Sequence, residues 1–236
     1  MPKGKLYLIP TSLGDNKSLT HVLPDYNHQT VHRINVFIVE QVRTARRFLK
    51  AIKHPVSIDD MVFYEINKHT NLNNLSDYLK PLEEGKNIGL LSEAGTPCVA
   101  DPGAMIVEMA HKRNIQVIPL VGPNSIILAL MGSGFNGQHF LFHGYLPIEH
   151  DRRNRKIKDI ESAAYRLNQT QIFIETPYRN NKLLETLSNL LKPETPVCVA
   201  ADLTLDTEYI KTLPAKMWKH EKVDLHKRPV VFLIYR

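Results

Sequence analysis

Short apolar runs alternate along the chain with longer segments in which apolar residues recur every three or four positions. The short runs are typical of buried β-strands, and the longer segments are typical of amphipathic helices. The strands predicted in the first half are Leu6–Ile9, Val36–Glu40, Val62–Glu65, Ile88–Leu91 and Val117–Val121, and the helices between them include Thr44–Ile52, Leu72–Leu82 and Gly103–Lys112. Strands that alternate with helices predict a mainly parallel sheet with helices on both faces.

The alternation becomes looser after Val121, where Gly122 and Pro123 interrupt the pattern. An apolar helix runs from there through Met131. Further strands are predicted near Phe140–Tyr145, Gln171–Glu175, Pro196–Ala201 and Pro229–Tyr235, with helices over Arg153–Leu167 and Tyr178–Leu191. The sequence therefore predicts an α/β protein of two domains, residues 1–121 and residues 122–236.

Five of the predicted connections are rich in glycine, proline and small polar residues. They read "PTSLGD" at 10–15, "SEAGTP" at 92–97, "VGPNS" at 121–125, "HGYLP" at 143–147 and "ETPYR" at 175–179. In an open parallel sheet, ligands bind in the crevice beyond the carboxyl ends of the strands. Each turn alone is ordinary, but five in this order predict a binding site.

The motifs of several other chemistries are absent from the sequence or lie in the wrong structural context. The segment Gly132–Gly137 has the spacing of a dinucleotide fingerprint, yet it closes a helical pattern and leads into a strand, whereas the fingerprint follows a strand and opens a helix. The chain has no Walker loop, no CxxC, no HExxH and no GxSxG elbow, and its histidines lack ligand spacing. We therefore expect neither a metal nor a covalent nucleophile.

The charge balance favours a polyanionic partner. The chain has 236 residues, and its 30 Lys and Arg against 24 Asp and Glu give a net charge of +6. Residues 41–53, "QVRTARRFLKAIK", hold five basic residues and no acid, with one basic face and one apolar face at helical spacing. A second basic cluster spans 152–158, and the two clusters favour anion binding as much as an ordinary solvated surface.

The five turn motifs together resemble the tetrapyrrole methylase superfamily, and within it the small-subunit ribosomal RNA methyltransferase I group. The resemblance rests on "LYLIPTSLGD", "LLSEAGTPCVADPG", "VIPLVGPNSIILAL", "FLFHGYLP" and "IFIETPYR", and it covers nearly the whole chain. It implies two α/β domains, a mainly parallel N-terminal sheet and a mixed C-terminal sheet, with the cofactor between them. It also implies a homodimer and methyl transfer from S-adenosyl-L-methionine to the ribose 2′-hydroxyl of a cytidine in ribosomal RNA.

Matching the family's motifs position by position gives a predicted cofactor pocket of neutral residues. These are Leu13, Gly95, Thr96, Val99, Ser125 and Ile126 in the first three of these motifs, and Thr176, Ala200, Ala201 and Pro229 further along the chain. A sulfonium cation needs a dry slot rather than a strong anion, so the neutral lining suits it. Methyl transfer is then mainly alignment of the reacting atoms.

A ribose hydroxyl becomes a good nucleophile only when its proton is taken, so a general base is expected. The carboxylates at predicted strand ends are Glu40, Glu93 and Glu175, and the sequence leaves the choice among them open, since each could instead cap a helix or pair with an arginine. For RNA binding, the predicted residues are Arg43, Arg46, Arg47, Lys50 and Arg179.

The chain departs from the family's pattern at three places. It has "EQVR" at 40–43 where the family has Glu-Asp-Thr-Arg, Glu93 where the family commonly has Asp, and "KRP" at 227–229 where the family has Lys-Gly-Glu. Two alternatives therefore stay open. One is a methylase of a tetrapyrrole or another small planar substrate, and the other is a non-catalytic S-adenosylmethionine-binding protein that associates with RNA.

No apolar run reaches the roughly 18 residues of a membrane helix, which predicts a cytoplasmic protein.

Overall fold

The computed structural model describes residues 2–14, 19–66, 70 and 72–236. The chain divides into two compact units, the first ending at Asn124 and the second running from Ser125 to Arg236. Among the described residues, no helix combines the length and the apolar character needed to cross a membrane.

The first unit is built on a parallel sheet of five strands. In chain order its elements are β1 Leu6–Ile9, α1 Leu19–Val22, α2 Asp25–Val31, β2 Val36–Val39, α3 Val42–Ala51, a 3₁₀ turn Ile58–Asp60, β3 Val62–Glu65, α4 Leu72–Tyr78, α5 Lys80–Glu83, β4 Ile88–Leu91, α6 Ala104–Lys112 and β5 Val117–Pro119. The strands lie in the order β3-β2-β4-β1-β5, and every neighbouring pair is parallel. The predicted parallel sheet is confirmed.

Strand β2 shows how the sheet is covered on both faces. Its side chains alternate, so that Phe37 and Val39 join a buried cluster with Phe48 of α3, while Val36 and Ile38 join a different cluster with helices α4 to α6. All four β2 residues are buried, which explains why the strand reads as a continuous apolar run. The predicted layer of helices on each face is therefore present.

The second unit is built on a mixed sheet of five strands. Its elements are α7 Ser125–Ser133, β6 Phe140–Tyr145, α8 His150–Leu167, β7 Thr170–Ile174, α9 Asn180–Leu190, β8 Pro196–Ala201, β9 Tyr209–Pro214, a 3₁₀ turn Ala215–Lys219 and β10 Val230–Ile234. The order is β6-β7-β10-β8-β9, with β6 parallel to β7 and the other pairs antiparallel. The central strands contribute stacked Phe173 and Phe232 to the core. The mixed sheet is as predicted.

Several elements differ from the prediction, among them β9, α2 and the helix predicted over Leu72–Leu82. Strand β9 was missed because it is an edge strand whose residues are all partly or fully exposed, which weakens its apolar pattern. Helix α2 was missed because "DYNHQTV" buries only Asn27 and Val31. The predicted helix Leu72–Leu82 is two helices, since Pro81 lacks the amide proton that a continuous helix requires.

Segment Gly132–Gly137 closes a helix, as predicted. Helix α7 ends at Ser133, Gly134 has a φ of +75°, and β6 begins at Phe140. This helix-to-strand order is the reverse of a dinucleotide fingerprint.

Candidate active site

The loops that follow β1 and β4 are joined by hydrogen bonds at the carboxyl edge of the first sheet. The two strands are parallel neighbours, so their loops leave the sheet side by side. The Thr11 N–H donates to the Gly95 carbonyl at 3.0 Å, and the Gly95 N–H donates to the Ser12 carbonyl at 3.4 Å. The Thr11 hydroxyl donates to the Ser92 carbonyl at 3.3 Å, and the Ser92 hydroxyl donates to the Gly95 carbonyl. These buried polar side chains hold the two loops in one arrangement.

Gly95 is the point at which three loops meet in the first unit. Its φ is +71°, and a Cβ atom there would lie 2.8 Å from Cδ2 of Leu13 and 2.9 Å from the carbonyl oxygen of Pro123. Only glycine accepts both the backbone conformation and these approaches. Beside it, the Asn124 amide donates to the Thr96 hydroxyl at 2.6 Å. The predicted cofactor residues Leu13, Gly95 and Thr96 therefore lie together.

The rest of the second loop is fixed by Asp101. Its carboxylate accepts hydrogen bonds from the backbone N–H groups of Cys98 at 2.9 Å and Gly103 at 2.8 Å. Cys98 and Ala100 both have positive φ, and Val99 between them is 44% exposed. Burial and the neighbouring Asp101 raise the pKa of the Cys98 thiol to about 11, so this thiol stays protonated at neutral pH. The sequence missed Asp101, although an aspartate before Pro-Gly is a common turn signal.

The remaining predicted cofactor residues belong to the second unit. Ser125 and Ile126 open helix α7. Thr176 follows β7, Ala200 and Ala201 end β8, and Pro229 precedes β10.

The sheet pairing brings three of these strand ends to one edge of the second sheet. Because β10 is antiparallel to both neighbours, Val230 pairs with Ala201 and Val231 pairs with Ile174. The alanine side chains are buried in the sheet, so this edge offers mainly backbone groups to a ligand.

The three candidate carboxylates have different surroundings. Glu175 is buried and pairs with Arg179, whose Nη2 lies 2.5 Å and whose Nε lies 3.0 Å from Oε1, while the Thr176 N–H donates to the same oxygen at 2.6 Å. A carboxylate held in this way positions the loop after β7. It also occupies Arg179, which the sequence had assigned to RNA.

Glu40 lies beside the second loop. It lines a narrow crevice with Ile66, Asp101 and Gly103. Partial burial, and then the like charges of Asp101 and Glu93, raise the pKa of Glu40, while a hydrogen bond from the Glu93 backbone N–H opposes this rise. Asp101 and Glu93 therefore disfavour a negative charge at Glu40.

Helix α3 presents the predicted basic face to solvent. Arg43, Arg46, Arg47 and Lys50 are all exposed, whereas the opposite face is buried through Ala45, Phe48, Leu49 and Ile52, as the sequence predicts. The Arg46 guanidinium lies 5.7 Å from the ring centroid of Phe63. Within the part of the chain that the structure describes, none of the four basic residues forms an ion pair with a carboxylate. Their charge is therefore available to an anionic ligand.

Two hollows lie along this helix. The first, which we call the basic hollow, is an open cavity of about 410 Å³ lined by Val42, Arg43, Arg46, Arg47 and Lys50. The second, which we call the strand-end pocket, has a volume of about 300 Å³ and is lined by Thr11, Ser12, Gly14, Thr44, Ala45, Arg47, Phe48, Ser92 and Glu93. Arg47 lines both. Sequence reasoning singled out Arg47 and Glu93 as site residues but not Thr11, Ser12, Thr44 or Ser92.

No group of three or more His, Cys, Asp or Glu side chains in the described ranges is arranged to hold a metal ion. The site instead consists of neutral, backbone-rich loops next to a strongly basic helix. Such an arrangement defines a class of protein that binds a small ligand at strand ends and an anion beside it.

A family model matches most of the chain. The model of the tetrapyrrole (corrin/porphyrin) methylases matches residues 5–217. The chain therefore belongs to the tetrapyrrole methylase family, whose members are methyltransferases that in general use S-adenosylmethionine. The resemblance drawn from the five turn motifs is confirmed.

Two curated relatives match over most of the chain. The ribosomal RNA small subunit methyltransferase I of Vibrio cholerae is 29% identical over 233 residues, covering 98% of this chain and 76% of the relative. The protein of the same name from Escherichia coli O157:H7 is 28% identical over 235 residues, covering 98% and 78%.

Two crystal structures share the fold. The methyltransferase CobJ superposes with a TM-score of 0.64 at 13% identity, covering 99% of this chain and 94% of that chain. Uroporphyrin-III-C-methyltransferase from Thermus thermophilus has a TM-score of 0.54 at 16% identity, covering 98% and 92%. At these identities the superpositions establish the fold alone.

Proposed function

We propose that this methyltransferase transfers a methyl group from S-adenosylmethionine to small-subunit ribosomal RNA, at the ribose 2′-hydroxyl of a cytidine. The observation that carries the proposal is the basic face of α3, which has four exposed cations and borders the strand-end loops. A polynucleotide presents a row of phosphate groups, which suits a row of cations along one helix face. The names of the relatives point to the same substrate class.

The loops of the first unit fit the methyl donor chemically. Leu13, Gly95, Thr96 and Val99 carry no charge, and the positive φ of Gly95 lets the backbone approach closely. When bound, S-adenosylmethionine supplies an electrophilic methyl group on a sulfonium cation. The loops would hold the donor through backbone groups, and the proposal adds the strand-end residues Thr176, Ala200, Ala201 and Pro229 of the second unit to the same role.

The reaction class is tested by offering labelled methyl donor to three fractions in parallel. Unmethylated small-subunit ribosomal RNA, total protein and a small-molecule extract are each incubated with the protein and labelled S-adenosylmethionine. We expect label in the RNA, and after nuclease digestion in a 2′-O-methylcytidine. Label confined to the small-molecule extract would replace the proposal with the planar-substrate alternative, and no label in any fraction would favour the non-catalytic one.

Salt dependence tests the contact between α3 and RNA. Each phosphate contact with single-stranded RNA contributes about −0.7 to the slope of log affinity against log salt. We expect the double variant Arg46→Gln, Arg47→Gln to flatten that slope by about 1.4, because two phosphate contacts are lost. Binding of the methyl donor should be unchanged.

A matched control separates this local contact from the general effect of net charge. Lys219 and Lys222 are exposed in the second unit, and replacing both with Gln removes the same two charges. We expect the control to keep the wild-type slope. Equal slopes for all three proteins would leave α3 as ordinary solvated surface and remove the observation on which the RNA assignment rests.

The proposal includes a homodimer located in the cytoplasm, as the family resemblance implies. Arg179 is left out of the RNA-binding surface because its Nε and Nη2 already donate to Glu175. The four α3 residues remain in it.

A further inference from the structure

The strand-end pocket is formed by the loops that also carry residues assigned to the methyl donor. Its lining includes Ser12 and Gly14, which flank Leu13 in the chain, and Ser92, whose hydroxyl donates to the Gly95 carbonyl. A ligand in this pocket would therefore lie beside the donor residues and would face helix α3.

The composition of the strand-end pocket suits a nucleoside. The residues Thr11, Ser12, Thr44 and Ser92, which carry hydroxyl groups, line it together with the apolar Phe48. Its volume of about 300 Å³ lies at the lower end of the range for small-ligand sites. A ribose and base present hydroxyl groups, ring nitrogens and a flat apolar face, which match this mixture.

Arg47 connects the strand-end pocket with the basic hollow, because its side chain lines both. The basic hollow is lined by four cations and one apolar residue, Val42, and this lining suits phosphate groups. A polynucleotide has a phosphate directly attached to each ribose. A nucleotide in the strand-end pocket would therefore place its own phosphate beside Arg47 and the neighbouring phosphates along the rest of α3.

Glu93 is the candidate base that lines the strand-end pocket. Glu40 lies in the separate crevice with Ile66 and Asp101, and Glu175 is held by Arg179 in the second unit. Of the three candidate general bases, Glu93 is therefore the one whose position fits the strand-end pocket.

We propose that the strand-end pocket binds the nucleotide that is methylated, with Arg47 on its phosphate and Glu93 accepting the proton of its reactive hydroxyl. This inference rests on the proposed function. The hydroxyl O–H bond breaks and its proton passes to the Glu93 carboxylate. The oxygen forms a bond to the methyl carbon as the carbon–sulfur bond of the donor breaks, and the electron pair of that bond stays on sulfur, giving a neutral thioether.

The test measures kcat, KM for unmethylated small-subunit ribosomal RNA and donor affinity for the wild type, Glu93→Gln, Arg47→Gln and Arg47→Lys. General-base catalysis contributes about 10²- to 10⁴-fold, so we expect Glu93→Gln to lower kcat by that factor with both affinities within twofold of wild type. Arg47→Gln should raise KM and flatten the salt slope by about 0.7, with partial recovery in Arg47→Lys.

Glu65→Gln is the matched control, because Glu65 is an exposed carboxylate at the end of β3 in the same sheet. It should keep wild-type kinetics. The inference is overturned if Glu93→Gln keeps kcat within threefold of wild type, or if it loses donor affinity instead, which would assign Glu93 to the donor site. It is also overturned if Arg47→Gln leaves KM unchanged.

A different result would show that the proposed function itself is wrong. In that case the wild type itself would transfer no label to RNA. A wild type that methylates RNA together with an indifferent Glu93→Gln variant would overturn this inference alone.

Discussion

The variant Thr96→Trp is expected to lose at least about 100-fold in affinity for S-adenosylmethionine, which corresponds to about 2.8 kcal/mol. Thr96 is half-buried in the loop after β4, beside Gly95, and its hydroxyl accepts a hydrogen bond from Asn124. An indole at this position fills the space that the proposal gives to the donor and removes that hydrogen bond. Isothermal titration calorimetry with S-adenosylmethionine measures the loss.

The fold should survive the Thr96 substitution, because Thr96 belongs to neither buried cluster of the first unit. Met217→Trp adds an indole at an exposed position of the second unit and serves as the control. We expect both variants to keep a cooperative thermal transition, and only Thr96→Trp to lose the donor. Wild-type affinity in Thr96→Trp would show that the donor does not lie beside the Gly95 loop.

The central strands could be predicted almost to the residue because their burial leaves a direct trace in the sequence. Ile88–Leu91 is buried on both faces of the sheet, and it appears as an uninterrupted apolar run that ends where the loop begins. Strand β9 has no such trace, since its pairing with β8 is made by backbone groups and its side chains are partly exposed. An edge strand of this kind is held mainly by backbone hydrogen bonds, which leave no apolar pattern in the sequence.

The candidate site could be predicted as a set of loops but not as a set of pockets. Glycine and proline in "SEAGTPCVADPG" mark a backbone that is held rigidly, and Gly95 does have a positive φ. Which side chains share a cavity depends on helix α3, whose basic face was visible while its position over the β1 and β4 loops was not. That position brings Arg47 and Glu93 to one pocket.

The three strand-end glutamates were equivalent in the sequence because each follows an apolar run. Their differences come from tertiary neighbours. Glu40 lies near Asp101 and Glu93, and Glu175 lies near Arg179. Only the last of these pairings had a local signal, since the spacing of Glu175 and Arg179 is that of an i, i+4 ion pair.

The Glu175–Arg179 pair leads to the second large expected effect. Replacing Arg179 with Met removes the cation and leaves a carboxylate whose side chain is only 1% exposed. Breaking a buried ion pair from one side costs about 3–5 kcal/mol, and because Arg179 is 32% exposed we expect a loss of about 3 kcal/mol in the free energy of unfolding. Urea denaturation monitored by circular dichroism measures it.

Two further variants assign the cause of the Arg179→Met loss. The double variant Glu175→Gln, Arg179→Met also removes the unpaired buried carboxylate, so it should recover most of the lost stability. Lys182→Met breaks an exposed ion pair with Glu185 in the same helix, and it should be indistinguishable from wild type because exposed pairs contribute little. If Arg179→Met were instead as stable as Lys182→Met, the carboxylate of Glu175 would not depend on its arginine. Glu175 would then return as a rival to Glu93 for the role of general base.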